Sequence, residues 1–157
     1  MTEEKPQYLT QSKYDDLAKE LAVLKEEEIP AIAKKIDSAK QMGDLSENAE
    51  YHAAREEMAW AQTRMKELNY ILNTAEIIST EKSGGDTVSI GSTILVSVNG
   101  KEVGYTIVGA QEADPSSRKI SNESPLGEAF LGKSKGETVQ VDLPSGKKQD
   151  YKIIDIN

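Results

Sequence analysis

The chain has 157 residues and a formal net charge of −8, with 29% charged residues and only 5% aromatic residues. An acidic chain gains no affinity for nucleic acid through counterion release, which disfavours direct DNA or RNA binding as its main activity. Cysteine is absent from the sequence, which excludes disulfides, thiolate catalysis and zinc–thiolate sites.

The sequence also carries no signal for a membrane. The first residues, Met-Thr-Glu-Glu-Lys-Pro, contain no apolar signal region, and no apolar run approaches the length of a membrane span. We therefore expect a cytoplasmic protein without a membrane partner. The negative charge favours a basic protein surface, or a metal ion held by a partner, as its target.

Residues 10–78 have the periodicity of helix. In the first arm, apolar residues recur at spacings of three and four, as in a coiled coil. Pro30 is expected to kink or locally break this arm. Next to the proline the apolar seam continues, but its positions are shifted by one residue relative to the earlier three-four spacing. Its members are Tyr14, Leu17, Leu21 and Leu24, followed by Ile29, Ile32, Ile36 and Ala39.

A second helical seam follows and can be paired with the first. Facing residues of an antiparallel hairpin have sequence numbers with a nearly constant sum, and Leu17 with Leu72 gives 89. Beyond the proline, Ile32 with Met58 gives 90, which places the apex at about Leu45. The second seam contains Tyr51, Ala54, Met58, Ala61, Met65, Leu68, Leu72 and Ala75.

The second half of the chain has the pattern of a small mixed domain. A Gly-containing stretch over residues 79–86 predicts a linker, which divides the chain into a hairpin domain, 1–79, and a second domain, 80–157. Asn99-Gly100 predicts a tight β-hairpin, and Ser124-Pro125 predicts a capped helix start. Strands are expected among Val88, Ile90, Ile94, Val96 and Val98, then over 102–108, 139–143 and 151–156, with a short helix over 126–131. The fold class is α+β: an N-terminal antiparallel α-helical coiled-coil hairpin followed by a small α+β domain.

The turn between the two helices is the part of the sequence most suggestive of chemistry. Asp44 and Glu47 are three residues apart and would lie on one side of a helical turn, and residues 42–53 contain no Lys or Arg. The pair is either a metal-holding tip or a capping box, with Asp44 as N-cap and Glu47 reaching back. Two carboxylates cannot complete the octahedral shell of Mg²⁺. A metal at this tip would therefore be shared with another macromolecule.

Basic residues flank the turn. They are Lys34, Lys35, Lys40 and Arg55. Their spacing fits ordinary solvated helix charge, and it also fits a patch that contacts phosphates behind the acids. His52 is the only histidine, and we assign it no role. The helix start at Ser124 fits a plain cap or an anion-attracting end.

Three motifs together resemble a known family. Residues 43–57, which begin Gly-Asp-Leu-Ser-Glu-Asn-Ala-Glu-Tyr, closely resemble the tip signature of the bacterial Gre transcript cleavage factors. Residues 119–121 with 124–133 resemble the C-terminal signature of that family, and residues 109–115 are also similar to it. The resemblance covers nearly the whole chain with the motifs in the right order.

The resemblance implies an FKBP-like C-terminal domain and a monomer that binds bacterial RNA polymerase. The coiled coil would enter the secondary channel of the polymerase, while Ser124-Pro125 would belong to the surface that docks on the channel rim. Asp44 and Glu47 would be the metal-coordinating acids and would help the polymerase hold a second Mg²⁺. Lys40 and Arg55 match basic positions that contact the partner or the nascent RNA 3′ end. The chain would then be a cofactor of the polymerase and not an enzyme.

The chain departs from the family at several positions. Lys40 stands where relatives often have Arg, and Met42 and Ser46 replace residues that are commonly basic. These departures weaken the expectation of a strong basic patch and leave the acids untouched. Residues 80–157 offer few aromatic residues for an isomerase pocket, so we expect no prolyl isomerase activity. Two other functions stay open: a channel-occupying inhibitor without a cleavage role, and a general coiled-coil adaptor or chaperone.

Overall fold

The computed structural model describes residues 5–78 and 86–157. The described chain falls into two compact units, one comprising the stretch up to Lys13 together with Ala75–Asn157, and the other comprising Tyr14–Thr74. The first unit is thus discontinuous in sequence, because the whole helical unit lies between its two parts.

The helical unit is built from three helices and one irregular turn. Its elements are α1 (Gln11–Val23), a π-helical turn (Leu24–Glu28), α2 (Ile29–Lys40) and α3 (Ala49–Thr74). Helix α2 packs against α3, and all the predicted seam residues within Tyr14–Thr74 are buried or half-buried. The predicted helical hairpin is therefore confirmed. Ile71, which the seam did not include, is also buried.

The π-helical turn explains the irregularity predicted at Pro30. The backbone N–H of Ile29 donates to the carbonyl of Leu24, five residues earlier, so the turn holds one residue more than an α-helical turn. Pro30 follows in the first turn of α2. A regular helix would bring its ring against the carbonyl four residues earlier. The extra residue relieves that clash and produces the one-position shift of the seam.

Two short strands, which the sequence pattern did not predict, precede and follow the hairpin. Strand β1 (Gln7–Leu9) pairs in parallel with β2 (Ala75–Ile77), in the register Leu9 to Ile77. The prediction of continuous helix to residue 78 was therefore wrong at its end, where Ala75 begins a strand. Leu9 is fully buried, which anchors β1 through a single apolar side chain.

The rest of the discontinuous unit is a five-stranded sheet in the order β5-β4-β3-β7-β6. Only β4 and β5 are parallel; the other neighbours are antiparallel. The strands are β3 (Thr93–Val98), β4 (Lys101–Val108), β5 (Lys119–Ser121), β6 (Thr138–Asp142) and β7 (Lys148–Ile156). The α+β class is confirmed.

Individual predictions in this unit had mixed outcomes. The Asn99-Gly100 turn is confirmed, with positive φ at both residues (52° and 78°) between paired β3 and β4. The short helix is confirmed as α4, Pro125–Phe130. The expected strand at Val88 and Ile90 was wrong, because β3 begins at Thr93. Strand β5 was missed, and most of the predicted linker, residues 79–85, lies outside the described residues.

The core of the sheet unit is centred on Phe130. Its ring, fully buried, lies edge-on to Tyr151 with centroids 5.6 Å apart, and 6.2 Å from Tyr105. These three are the aromatic residues of 80–157 on which an isomerase pocket would depend, and both tyrosines pack on Phe130. Among the helices of residues 5–78 and 86–157, none is both long enough and apolar enough to cross a membrane.

Candidate functional site

The loop of residues 41–48 connects α2 to α3 and carries both predicted acids. Asp44 and Glu47 are exposed, and neither lies in a helix. The expectation of a helical turn through them was wrong, and so was the capping box, because α3 begins only at Ala49. The two carboxylates belong to an irregular loop whose conformation must be set by other contacts.

Asn48 supplies the contacts that join this loop to both helices. Its side-chain Oδ1 accepts from the N–H of Tyr51 at 3.1 Å, while its Nδ2 donates to the carbonyl of Ala39 at 2.6 Å. The first bond caps α3, and the second is an additional bond to a carbonyl in the last turn of α2, which also accepts from the N–H of Met42 at 3.1 Å. The charge pattern of the turn does not point to this residue, although Asn is among the preferred N-cap residues and directly precedes Ala49.

Asp44 is fixed by a local turn. Its Oδ1 accepts two hydrogen bonds from Ser46, one from the backbone N–H at 3.0 Å and one from Oγ at 2.9 Å. Bonds of this kind from a residue two positions on define an Asx turn. They lower the pKa of the Asp44 carboxyl from its ordinary value, the backbone bond contributing most, because both bonds favour the charged form.

Glu47 is held less tightly than Asp44. Within the described part of the chain, no hydrogen bond or ion pair reaches its carboxylate. The carbonyl of the preceding residue, Ser46, lies 3.4 Å from Nε2 of His52 on α3, a long contact that places His52 against the loop backbone. The loop therefore presents one oriented carboxylate and one that is free to adjust.

The remaining loop residues are also exposed. Gly43 has a φ of 122°, which side-chain-bearing residues rarely adopt, so a glycine is needed where the chain leaves α2. Met42 is 70% exposed and Leu45 is 39% exposed. The acids are thus flanked by apolar side chains at the surface.

The acids alone do not form a complete metal site. No group of three or more His, Asp or Glu side chains that could hold a metal ion occurs in residues 5–78 and 86–157. Carboxylate oxygens are the hard ligands that Mg²⁺ prefers, but two of them leave most of its six positions unfilled. The donor set therefore fits Mg²⁺ only as part of a site completed from outside.

The predicted basic residues fall into different surroundings. Lys35 forms a salt bridge with Glu57 of α3 at 2.9 Å, so its charge is partly compensated. The guanidinium carbon of Arg55 lies 5.7 Å from the ring centroid of Tyr51, a cation–π distance that orients the side chain along α3. Lys40 is exposed in the last turn of α2.

Ser124 and Pro125 lie in the other unit, at the start of α4. Ser124 Oγ accepts from the N–H of Gly127 at 3.1 Å and donates to the carbonyl of Ser121 at 2.7 Å. Pro125 occupies the first turn, so the predicted cap and proline start are confirmed. Because the hydroxyl is already used in both directions, the cap accounts for Ser124 without an anion.

Comparison with known proteins gives consistent matches over both halves. Residues 7–77 match the family model described as "Transcription elongation factor, N-terminal", and residues 82–157 match "Transcription elongation factor, GreA/GreB, C-term". The chain is 45% identical to Transcription elongation factor GreA of Helicobacter pylori (strain Shi470), over 91% of this chain and 88% of the relative. It is 42% identical to the GreA of Leuconostoc mesenteroides, over 99% of each.

Solved structures that are similar to this chain include the GreA factor homolog 1 (Gfh1) protein of Thermus thermophilus. It is 26% identical, with a TM-score of 0.45, covering 98% of this chain and 99% of that one. GreA/GreB from Nitrosomonas europaea is 27% identical, with a TM-score of 0.43, covering 59% of this chain and 78% of that one.

Proposed function

Because the chain belongs to the GreA/GreB family of transcription elongation factors, we propose that it binds RNA polymerase and stimulates cleavage of backtracked nascent RNA. In this proposal the helical hairpin enters the secondary channel and brings loop 41–48 to the extruded RNA 3′ end. The polymerase performs the hydrolysis, and the factor is its cofactor. Removal of the extruded RNA lets the arrested complex resume elongation.

The observation that carries the proposal is the state of the two acids. Asp44 and Glu47 are exposed at the turn of the hairpin, and no cation of the described residues forms an ion pair with either. Uncompensated carboxylates in so exposed a position are suited to a cation supplied by a partner. A capping role, the main structural alternative for the pair, is taken by Asn48.

Asp44 and Glu47 would hold Mg²⁺ jointly with the polymerase active site. A second Mg²⁺ there supplies an activated water and stabilises charge in phosphodiester hydrolysis. The contribution of this chain is to deliver two oxygen donors on a loop held at both ends. Oriented Asp44 supplies a fixed donor, and less restrained Glu47 adapts to the ligands of the partner.

Residues outside the loop would support binding. Exposed Lys40 and ring-oriented Arg55 supply positive charge for the polymerase or the nascent RNA, with Lys40 lacking the bidentate fork of Arg. Ser124 and Pro125 belong to the docking surface on the channel rim. The proposal requires the cytoplasm, where bacterial transcription takes place, as the working compartment.

The test replaces each acid in a purified backtracked elongation complex. We expect D44A and E47A to reduce stimulated cleavage by about 100-fold or more, on the scale of losing a metal-held transition-state contact. Polymerase affinity should change by no more than about threefold, because surface charges contribute little each. The readouts are released short RNA and competition binding.

The matched control is E56A, which removes an exposed carboxylate on α3, outside loop 41–48, that has no ion pair in the described chain. It should cleave like the parent protein. Full cleavage by the D44A/E47A double variant would overturn the proposal. Polymerase inhibition without any released RNA in the parent protein would indicate channel occupancy instead, and indifference of the polymerase to the protein would indicate an adaptor role.

A further inference from the structure

In loop 41–48 the two carboxylate oxygens of Asp44 differ in their hydrogen bonding. Oδ1 accepts both hydrogen bonds from Ser46, at 3.0 and 2.9 Å. Within the described chain, no hydrogen bond or salt bridge engages Oδ2. A carboxylate saturated on one oxygen has a restricted rotation and offers the other oxygen to a ligand.

Ser46 is itself held in place. Its N–H and Oγ face Asp44, and its carbonyl lies 3.4 Å from Nε2 of His52. Two residues later, Asn48 fixes the loop to Ala39 and Tyr51. The turn that orients Asp44 is thus attached to the ends of both helices and does not depend on its own two bonds alone.

From this geometry we infer that Ser46 is a positioning residue, which fixes Oδ1 of Asp44 so that Oδ2 is the oxygen available to Mg²⁺. The inference rests on the proposed function. Ser46 supplies two donors, its N–H and its Oγ, to one oxygen of Asp44.

The bond between Ser46 and Asp44 can be tested in the free protein, without metal or polymerase. The Ser46 amide should be partly protected from hydrogen exchange, because it donates to Oδ1. In D44A, where the acceptor is absent, exchange of that amide should accelerate about fivefold, the factor equivalent to one ordinary hydrogen bond. Exchange of the Tyr51 amide, which Asn48 holds, should not change. NMR on the full-length ¹⁵N-labelled protein measures both. An unchanged Ser46 rate in D44A would overturn the inference.

A second arm measures the metal requirement in the polymerase complex. S46A retains the backbone bond and loses the Oγ bond, so we expect the Mg²⁺ concentration for half-maximal cleavage to rise about three- to tenfold. The rate at saturating Mg²⁺ and the polymerase affinity should stay within about twofold, since no group that contacts the metal or the docking surface is lost. S46T, which keeps the hydroxyl, should restore the parent requirement.

The matched control is S38A, a Ser-to-Ala change at an exposed position of α2, which should leave the Mg²⁺ requirement unchanged. An S46A protein with the parent requirement would refute the positioning role, even if D44A is inactive. Normal cleavage by D44A would instead refute the proposed function. The two failures are therefore distinguishable in the same assay.

Discussion

At the scale of single residues, the loop depends on Asn48 as much as on its acids. One amide side chain caps α3 and binds the last turn of α2, so it connects two helices that the chain otherwise joins only through an irregular segment. The sequence revealed the acids because uncompensated charge is visible as composition. The sequence did not identify Asn48 as the cap, because Asp44, Ser46 and Asn48 are all good N-cap residues. Only the true start of α3 distinguishes them.

Substitutions of Asn48 should separate its two bonds. N48A removes both, and we expect the free energy of unfolding to fall by about 2–3 kcal/mol, adding a lost cap to a lost hydrogen bond. N48D keeps the cap and loses the amide donor to Ala39, so its loss should be about 1 kcal/mol. Urea unfolding followed by circular dichroism measures both. Equal losses in the two variants would show that the cap contributes nothing, whereas a neutral N48D would show that the bond to Ala39 contributes nothing.

At the scale of elements, the π-helical turn reconciles the proline with the seam. The spacing from Leu24 to Ile29 is five, where a heptad seam requires four or three. The sequence numbers alone therefore revealed a one-residue shift at the correct place. They could not distinguish a kink from a π turn, because both shift the seam. Which of the two forms depends on how the backbone carbonyls before Pro30 avoid the proline ring.

Deleting Glu27 tests this account of the turn. The deletion restores continuous three-four spacing but returns the proline to a regular helix, and we expect a loss of about 3 kcal/mol in the free energy of unfolding. Combining the deletion with P30A should recover most of that loss, because alanine has an N–H and no ring. Chemical denaturation of the parent, the deletion variant and the deletion variant with P30A measures the three free energies of unfolding. If the deletion alone is neutral, the extra residue does not serve the proline.

At the scale of the whole molecule, the hairpin is an insertion between two paired strands. Strands β1 and β2 have only three residues each, too few for a period-2 pattern to be recognised, and β1 is held by contacts distant in sequence. Thr10, which caps α1 through the N–H of Lys13, also donates its N–H and Oγ1 to Glu112 at 2.9 and 2.8 Å. Sequence periodicity therefore predicted the helices and the longer strands and could not predict this junction.

Gly109 tests the seating of β1. A Cβ at this position would lie 1.8 Å from the carbonyl oxygen of Tyr8, so G109A must displace β1 and should cost about 1–3 kcal/mol of stability, as for overpacking. The control is G104A in β4, whose Cβ would have Ile94 O as its nearest neighbour at 3.9 Å. We expect that variant to match the parent in thermal unfolding. Equal melting temperatures for G109A and the parent would mean that β1 is not held there.

The discontinuous unit has a consequence for the order in which the protein is synthesised. Strand β1 leaves the ribosome before the hairpin, but its partner β2 follows only after the entire hairpin, and Glu112 lies 102 residues after Thr10. Helices form from local contacts much faster than pairings between distant residues. We therefore expect the hairpin to fold during translation before β1 pairs with β2, so that β1 is made before the hairpin and placed after it.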